Sequence, residues 1–260
     1  SASRYIEARL TPLAKETLFN AELTEFVDSY DGRNKEPVVL PCKLPLSLLF
    51  GAEGIAVGMS TKILPHNINE IIDAQIAFLQ NKSLKLLPDF PSGGMLDASE
   101  YDEGNGKVRV RAKIEITNEK LLTVSELPFG VTTESLIQSI QDAVNKGKFK
   151  LSSIDNFTTD TVEIELKAAR GMDAEKLLKL LYAFTQCEVS ISVNMLLIQD
   201  NQPVQLSTSE VLERNTLRLK DLLKQELMLS LKQTKQKWHQ RKLEMYFIGE
   251  KLYKKLETCD

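Results

Sequence analysis

The sequence is short of the residues that build disulfide frameworks and metal sites. Its 260 residues contain only two histidines and three cysteines, and Cys42, Cys187 and Cys259 lie far apart along the chain. An odd number of widely spaced cysteines indicates a reducing compartment and predicts a cytoplasmic protein. The few histidines and cysteines show no metal-ligand spacing, so no metal is expected on this chain.

Long apolar runs are also absent. No stretch reaches the roughly 20 apolar residues that a membrane-spanning helix needs, and no signal peptide is visible, so no membrane partner is expected. The net charge of −3 excludes a uniformly basic nucleic-acid binder, although a local basic groove remains compatible with it. The length allows one large domain or two. The first residue is Ser1 rather than a methionine, which predicts a fragment or a processed chain.

An arginine and a tyrosine stand side by side near the start of the chain. Apolar residues near helical spacing predict an amphipathic helix to about Leu18, which is kinked or restarted at Pro12. The phenol of Tyr5 is a possible nucleophile toward phosphorus, and the guanidinium of Arg4 is suited to holding the same phosphate. On the pair alone, a half-buried tyrosine beside a surface arginine is the more common explanation.

A second unusual segment has three glycines around an apolar centre. Gly51, Gly54 and Gly58 surround Ile55 within Gly51–Ser60. An isoleucine on such a loop can insert as a wedge between two base steps of DNA. A buried strand with glycines at a bulge is the alternative, and the spacing alone favours that alternative.

Polar residues in two neighbouring segments suggest further contacts. Two prolines bracket Lys43 and stiffen its backbone. His66 precedes a helix predicted from Asn69 to about Leu79, which either Asn67 or Asn69 caps. A helix N-terminus binds phosphate well, although a structural or capping histidine is more common at such a place.

The remaining pattern predicts an α+β fold with a long final helix. Residues 19–50 look irregular. Strands are predicted over residues 107–116, 121–127, 151–157, 161–167 and 189–193, and helices over 133–146 and from Asp173 to about Phe184. Helices between antiparallel strands indicate a sheet covered on one face. One helix is predicted from about Ser207 to Thr258, roughly 75 Å long, with a break at Gly249. Its many basic residues are more often a solvated coiled-coil face than a binding site.

Taken together, these segments resemble the A subunits of bacterial type IIA topoisomerases, DNA gyrase and topoisomerase IV. The matching segments occur in the family's order over nearly the whole chain. They are Arg4-Tyr5-Ile6-Glu7-Ala8-Arg9, Tyr30-Asp31-Gly32, Leu40-Pro41-Cys42-Lys43-Leu44-Pro45, Gly54-Ile55-Ala56-Val57-Gly58-Met59-Ser60-Thr61, Pro65-His66-Asn67, Pro88-Asp89-Phe90-Pro91, Gly104-Asn105-Gly106-Lys107-Val108, Glu126-Leu127-Pro128-Phe129, Thr185-Gln186 and Asn194-Met195. Ser3-Arg4-Tyr5 and Leu87-Pro88-Asp89 look slightly more similar to topoisomerase IV than to gyrase.

The resemblance implies roles for individual residues. Tyr5 matches the tyrosine that attacks a DNA phosphate and leaves a covalent 5′-phosphotyrosyl break. Arg4 matches the arginine that helps to hold the scissile phosphate, and Ile55 matches the isoleucine that intercalates and bends the gate DNA. Three further residues lie in segments that line the DNA in this family: Lys43, His66 and Asn67.

The resemblance also implies an architecture and partners. Residues 1–30 would end a winged-helix catalytic domain, residues 31–206 would form an α/β tower with a mainly antiparallel sheet, and residues 207–260 would be the first helix of a coiled-coil arm. The implied activity is ATP-dependent passage of one duplex through another. The implied partners are double-stranded DNA and, in an A2B2 heterotetramer on the chromosome, a second copy of the same chain with two B subunits. Mg2+ and ATP are expected on the B subunits, and no cofactor on this chain.

Parts of the family's pattern have no counterpart in the 260 residues. These parts are the winged-helix core before the tyrosine, the return helix of the arm, the dimerising exit gate and the C-terminal wrapping domain. Because the acidic magnesium-binding domain also belongs to the B subunit, this chain alone is predicted to be inactive in cleavage. A non-enzymatic DNA-bending module and a plain coiled-coil scaffold are the competing interpretations.

Overall fold

The computed structural model describes residues 5–7, 9–82, 85–199 and 201–253. The helices there are α1 (Pro12–Leu18), α2 (Leu46–Leu49), α3 (Ile68–Leu79), α4 (Thr133–Asn145), α5 (Ala174–Phe184) and α6 (Thr208–Gly249). The strands are β1 (Phe26–Asp28), β2 (Lys35–Pro37), β3 (Ala52–Ala56), β4 (Met59–Ile63), β5 (Met95–Asp97), β6 (Lys107–Arg111), β7 (Lys113–Asn118), β8 (Leu121–Glu126), β9 (Leu151–Asn156), β10 (Ile164–Ala168), β11 (Glu188–Ser192), β12 (Leu196–Gln199) and β13 (Gln202–Gln205). Small antiparallel sheets and a long final helix confirm the predicted α+β class.

The chain divides into two compact units. One unit is Pro45–Glu213, and the other combines Ser1–Leu44 with Arg214–Asp260. The predicted domain boundaries fall instead after residues 30 and 206. Whether the units correspond to the winged-helix end, the tower and the arm stays a prediction.

The largest sheet lies in the Pro45–Glu213 unit and has the strand order β7-β8-β10-β9. All three strand pairs are antiparallel. Helices α4 and α5 contribute apolar residues to the core of this sheet, as the helical spacing predicts. Core side chains with no exposed surface include Leu122, Val124, Leu136, Ile140, Ile164, Leu166, Leu177 and Leu181. Burying each such side chain contributes roughly 1.5–3 kcal/mol.

The strand predicted over residues 107–116 is wrong in one respect, because it is two strands. β6 and β7 are separated at Ala112 and belong to different sheets, with β6 in the order β11-β6-β5. Ala112 is completely buried, and its amide donates to the carbonyl of Cys187. The apolar alternation continues across Ala112, so the pattern carries no sign of the change of sheet.

The N-terminal α-helix begins at Pro12, so the prediction of a helix that starts earlier and is kinked or restarted there is wrong for the described residues. The hydroxyl of Thr11 accepts a hydrogen bond from the amide of Ala14 and caps α1, and Pro12 occupies its first turn. The described residues before Thr11 are therefore not part of the α-helix. The stretch predicted to be irregular contains the β1–β2 hairpin, an element that the sequence pattern did not predict.

The final helix is a single 42-residue element. At 1.5 Å per residue its length is about 63 Å. It ends at Gly249, the predicted break, and residues 254–260 lie outside the described part of the chain. Its exposed apolar side chains include Leu223, Leu227, Leu231 and Trp238, but pairing with a second helix stays a prediction. In the described part of the chain, no helix is long and apolar enough to span a membrane.

Candidate nucleic-acid interface

Tyr5 lies ahead of α1 and presents its side chain to solvent. The side chain is 78% exposed, in contrast to the half-buried position that the sequence pair alone favours. An exposed phenol is accessible to a phosphate on a macromolecule too large to enter a pocket. Arg4, the predicted phosphate-holding partner, lies outside the described residues.

Ile55 lies near the tip of a β-hairpin. β3 and β4 are antiparallel, with Ile55 opposite Ser60 and Ala56 opposite Met59. Val57 and Gly58 form the turn, and Gly58 adopts a positive φ of 73° that favours glycine. The segment is therefore a strand, as the alternative interpretation predicts. The predicted burial of this strand is wrong, because all five residues of β3 are exposed.

The tip of this hairpin is an apolar projection into water. Ile55 is 90% exposed and Val57 is 99% exposed. Side chains of this kind act as wedges when a protein unstacks a base step from the minor groove. The geometry therefore fits insertion into DNA.

Lys43 is held by an ion pair. Its ammonium Nζ lies 2.9 Å from Oε1 of Glu226, and both side chains are less than a quarter exposed. The amide of Asn20 donates to the same carboxylate oxygen. The hydrogen bond from Lys43 and then that from Asn20 lower the pKa of Glu226. The charge of Lys43 is thus compensated within its own unit, and a DNA contact by Lys43 stays a prediction.

His66 is buried, with 3% of its surface exposed. Its Nδ1 lies 3.0 Å from the carbonyl of Leu48, and its Nε2 lies 3.2 Å from the hydroxyl of Tyr101. A carbonyl only accepts, so we assign the ring proton to Nδ1. Burial lowers the pKa of His66, which keeps the ring neutral at pH 7. A neutral ring in this place supplies no charge for a phosphate, in agreement with the structural interpretation.

Asn67 is the residue that caps α3, rather than Asn69. Its side-chain oxygen accepts from the amide of Asn69 at 2.9 Å. Its side-chain nitrogen donates to Asp89, also at 2.9 Å. Both polar ends of the side chain are therefore engaged, and the predicted DNA contact is not tested by this geometry.

Comparison with known proteins decides the family. The model of the family that comprises the A subunit of DNA gyrase and topoisomerase IV matches residues 1–260. This chain belongs to that family.

Relatives of both named kinds are found within the family. The A subunit of DNA topoisomerase 4 from Borreliella burgdorferi is 50% identical over 248 residues, which cover 95% of this chain and 40% of that protein. The A subunit of DNA gyrase from Leptospira biflexa is 35% identical over 234 residues, covering 82% of this chain and 28% of that protein. Its counterpart from Buchnera aphidicola is 33% identical over 261 residues, covering 92% and 31%. The chain thus spans less than half the length of these relatives.

Three side chains that bond the predicted site residues in this family member were not predicted from the sequence. They are Tyr101, which contacts His66, Asp89, which contacts Asn67, and Glu226, which contacts Lys43. Each is distant in the sequence from its partner, so no local spacing identifies it. In the described part of the chain, no group of three or more His, Cys, Asp or Glu residues has the arrangement of a metal site.

Proposed function

We propose that this chain supplies the nucleophile and part of the DNA gate of a type IIA topoisomerase. The match of the whole chain to the family and the exposure of Tyr5 support this proposal most directly. The activity is ATP-dependent passage of one duplex through a transient double-strand break in another.

Tyr5 carries the covalent step. Its phenolic oxygen attacks a backbone phosphorus, the new O–P bond forms, and the bond from phosphorus to the 3′ oxygen breaks. The phenol loses its proton and the departing 3′ oxygen gains one. Attack by the same 3′ hydroxyl reverses the step and rejoins the strand without net consumption of a bond. Arg4 is proposed to hold the phosphate, where a guanidinium stabilises the charge that develops on it.

Ile55 is proposed to bend the DNA that Tyr5 cleaves. Smooth bending of a short duplex costs about 1–6 kcal/mol by elastic estimates. Insertion of an apolar wedge at one base step localises the bend there and exchanges stacking for contact with the protein. The exposure of Ile55 on a narrow hairpin supports this role.

The remaining components are proposed to come from other chains. A B subunit would bind Mg2+ and ATP, and two A and two B subunits would form the working A2B2 assembly on the chromosome in the cytoplasm. Metal ions in phosphoryl transfer stabilise the attacking and leaving oxygens. For this reason we expect the isolated chain not to cleave DNA, and reproducible cleavage by the chain with Mg2+ alone would contradict this expectation.

Trapping of the covalent intermediate tests the proposal. The full-length protein containing this sequence is mixed with its B subunit, Mg2+ and end-labelled duplex DNA, and the reaction is stopped with denaturant. We expect labelled protein with Tyr5 and none with Tyr5→Phe, which removes only the hydroxyl. DNA binding without any adduct, or an adduct that persists in Tyr5→Phe, would favour a DNA-bending module in which Tyr5 is structural.

We favour topoisomerase IV over gyrase as the type of enzyme. Support comes from 50% identity with the topoisomerase 4 relative, compared with 35% and 33% for the two gyrase relatives. The expected preference is decatenation of linked circles without introduction of negative supercoils. ATP-dependent supercoiling of relaxed plasmid by the assembled enzyme would instead identify a gyrase.

A further inference from the structure

Asn194 fastens the hairpin that carries Ile55. Its side-chain amide donates to the carbonyl of Ser60 at 2.7 Å, and Ser60 is the residue directly opposite Ile55. Its backbone carbonyl accepts from the hydroxyl of Thr61 at 3.2 Å and from the amide of Lys62 at 2.9 Å. The amide of Asn194 in turn donates to the carbonyl of Lys62 at 3.0 Å. One residue therefore bonds three successive residues of β4.

This attachment is fixed to the core of its unit. The neighbours of Asn194 on each side, Val193 and Met195, are 4% and 0% exposed. The amide of Val193 donates to the carbonyl of Gly106, and the amide of Met195 donates to the side chain of Asn105. Asn194 thus lies between two buried, hydrogen-bonded residues, and its side chain bonds the exposed hairpin.

Near its tip the hairpin has the β12–β13 hairpin as a neighbour, and Ile55, Met59 and Ile198 line an open cavity between the two. β3 is exposed along its whole length, and β4 becomes buried only at Ile63. An isolated two-stranded hairpin is marginally stable in water. A wedge inserted into stacked bases experiences a restoring force from a duplex whose unstacking costs about a few kcal/mol per step. A hairpin held only at its base would bend or shift register under that force.

We propose that Asn194 is a positioning residue that holds the Ile55 hairpin rigid against DNA. The inference rests on the proposed function of Ile55. Asn194 acts without touching DNA, because it holds Ser60, the residue of β4 that lies opposite Ile55. An amide is required because the carbonyl of Ser60 needs a donor, and a carboxylate of the same shape places an acceptor against it.

Two substitutions separate this role from a general effect on folding. Asn194→Asp keeps the shape and the backbone bonds but replaces the donor. Thr61→Val removes only the hydroxyl bond to the carbonyl of Asn194 and serves as a milder second variant if Asn194→Asp does not fold. Asn118→Asp is the matched control, since Asn118 lies at the end of β7, in a sheet that contains neither β3 nor β4.

The experiment measures DNA bending and base unstacking in the full-length protein with Mg2+ and its B subunit. A duplex with fluorophores at both ends reports bending, and 2-aminopurine at the central step reports unstacking. We expect Asn194→Asp to lower the equilibrium constant between bent and unbent DNA about fivefold, the effect of losing one hydrogen bond of typical net strength. Thr61→Val should lower it less, and Asn118→Asp should leave it unchanged.

A double-mutant cycle with Ile55→Ala makes the proposal falsifiable. If Asn194 acts through Ile55, Asn194→Asp has no further effect once Ile55 is alanine. Normal bending by a folded Asn194→Asp variant, or an equal additional loss in the Ile55→Ala background, would overturn the role of Asn194 and leave the wedge intact. Normal bending by Ile55→Ala would instead overturn the proposed function of Ile55.

Discussion

The backbone of Gly51 packs directly against the backbone of Ile63 at the base of the Ile55 hairpin. A methyl group on Gly51 would lie 2.6 Å from the carbonyl oxygen of Ile63 and 3.1 Å from the nitrogen of Pro65. Gly51 also has a φ of +71°, which L side chains rarely adopt. Glycine at this position therefore serves two purposes, a left-handed turn and a close approach of two strands.

Gly51→Ala is expected to loosen the hairpin. The positive φ alone costs about 1–2 kcal/mol for alanine, and the contact with Ile63 adds to it. We expect amide hydrogen exchange of β3 and β4 to accelerate at least tenfold. Gly58→Ala is the control, because Gly58 has a similar φ of +73° and, among the described residues, no atom lies within 4 Å of the new methyl. Equal effects of the two substitutions would show that the close approach contributes nothing.

The ion pair of Lys43 and Glu226 is expected to stabilise the fold modestly. Both side chains are mostly shielded from water. We therefore expect a coupling energy of about 0.5–1 kcal/mol, which is the upper part of the range measured for exposed ion pairs. A double-mutant cycle with Lys43→Met and Glu226→Gln, read from the free energy of unfolding, measures it. Because the pKa of Glu226 is lowered in the folded state, this contribution is complete above the usual carboxyl pKa and disappears as the solution is acidified.

The same variants test the predicted DNA contact of Lys43. If Lys43 contacts a DNA phosphate, Lys43→Met removes that contact. The slope of the logarithm of the binding constant against the logarithm of the salt concentration then becomes shallower by about 0.9. Glu226→Gln leaves such a contact in place and should retain the full slope. A coupling energy of zero together with a changed slope would contradict a structural role for the pair.

His66 is expected to make the folded state more stable as pH rises through the region below 6.5. Burial lowers its pKa from 6.5 when folded, so at such pH values the unfolded chain binds more protons than the folded chain. The stability that His66 contributes is complete above pH 6.5 and decreases as the pH falls toward the pKa of His66 in the folded state. The nearby carboxylate of Asp89 opposes this shift but does not reverse it. The melting temperature measured from pH 7.5 to 5.5 should fall less in His66→Gln than in the unsubstituted protein. Parallel curves would exclude a contribution from His66.

Cys187 is expected to be unreactive until the protein unfolds. It has no exposed surface, and burial raises the pKa of its thiol to about 11. At pH 8 only about one molecule in a thousand then carries the reactive thiolate at this position. In a Cys259→Ser background, a chromogenic disulfide reagent should react first with half-buried Cys42. Addition of Cys42→Ser should abolish the first phase, and rapid reaction in that double variant would contradict the burial of Cys187.

Local signals in the sequence were sufficient for elements whose patterns are complete within one segment. The helix predicted from Thr133 to Lys146 runs from Thr133 to Asn145, because Thr132 and Ser135 form a reciprocal cap and the inner face has regular apolar spacing. The helix predicted to be capped by Asp173 and to end near Phe184 is α5, in which Asp173 occupies the N-cap position but makes no side-chain capping bond to the described residues. Caps and periodicity depend on neighbours within four residues, which a sequence shows directly.

Other features depend on contacts that a single sequence does not show. The β12–β13 hairpin was missed because Pro203 lies within β13, and proline argues against a strand unless the strand is an edge. Spacing alone favoured a buried strand at Ile55, because a buried and an exposed β-branched strand have the same composition, and the exposed wedge followed from the family resemblance. The burial of His66 depends on Tyr101, which is 35 residues away in the chain.

The exposure of β3 has a consequence for the protein when no DNA is bound. Among the described residues, β3 pairs only with β4, so its outer backbone groups remain available to a strand from another molecule. Such open edges promote aggregation unless they are short or charged. β3 is five residues long, contains Gly54, and carries Glu53 in an ion pair with Lys62 at 3.1 Å. These features allow an apolar tip to remain in water while limiting edge-to-edge association between protein molecules.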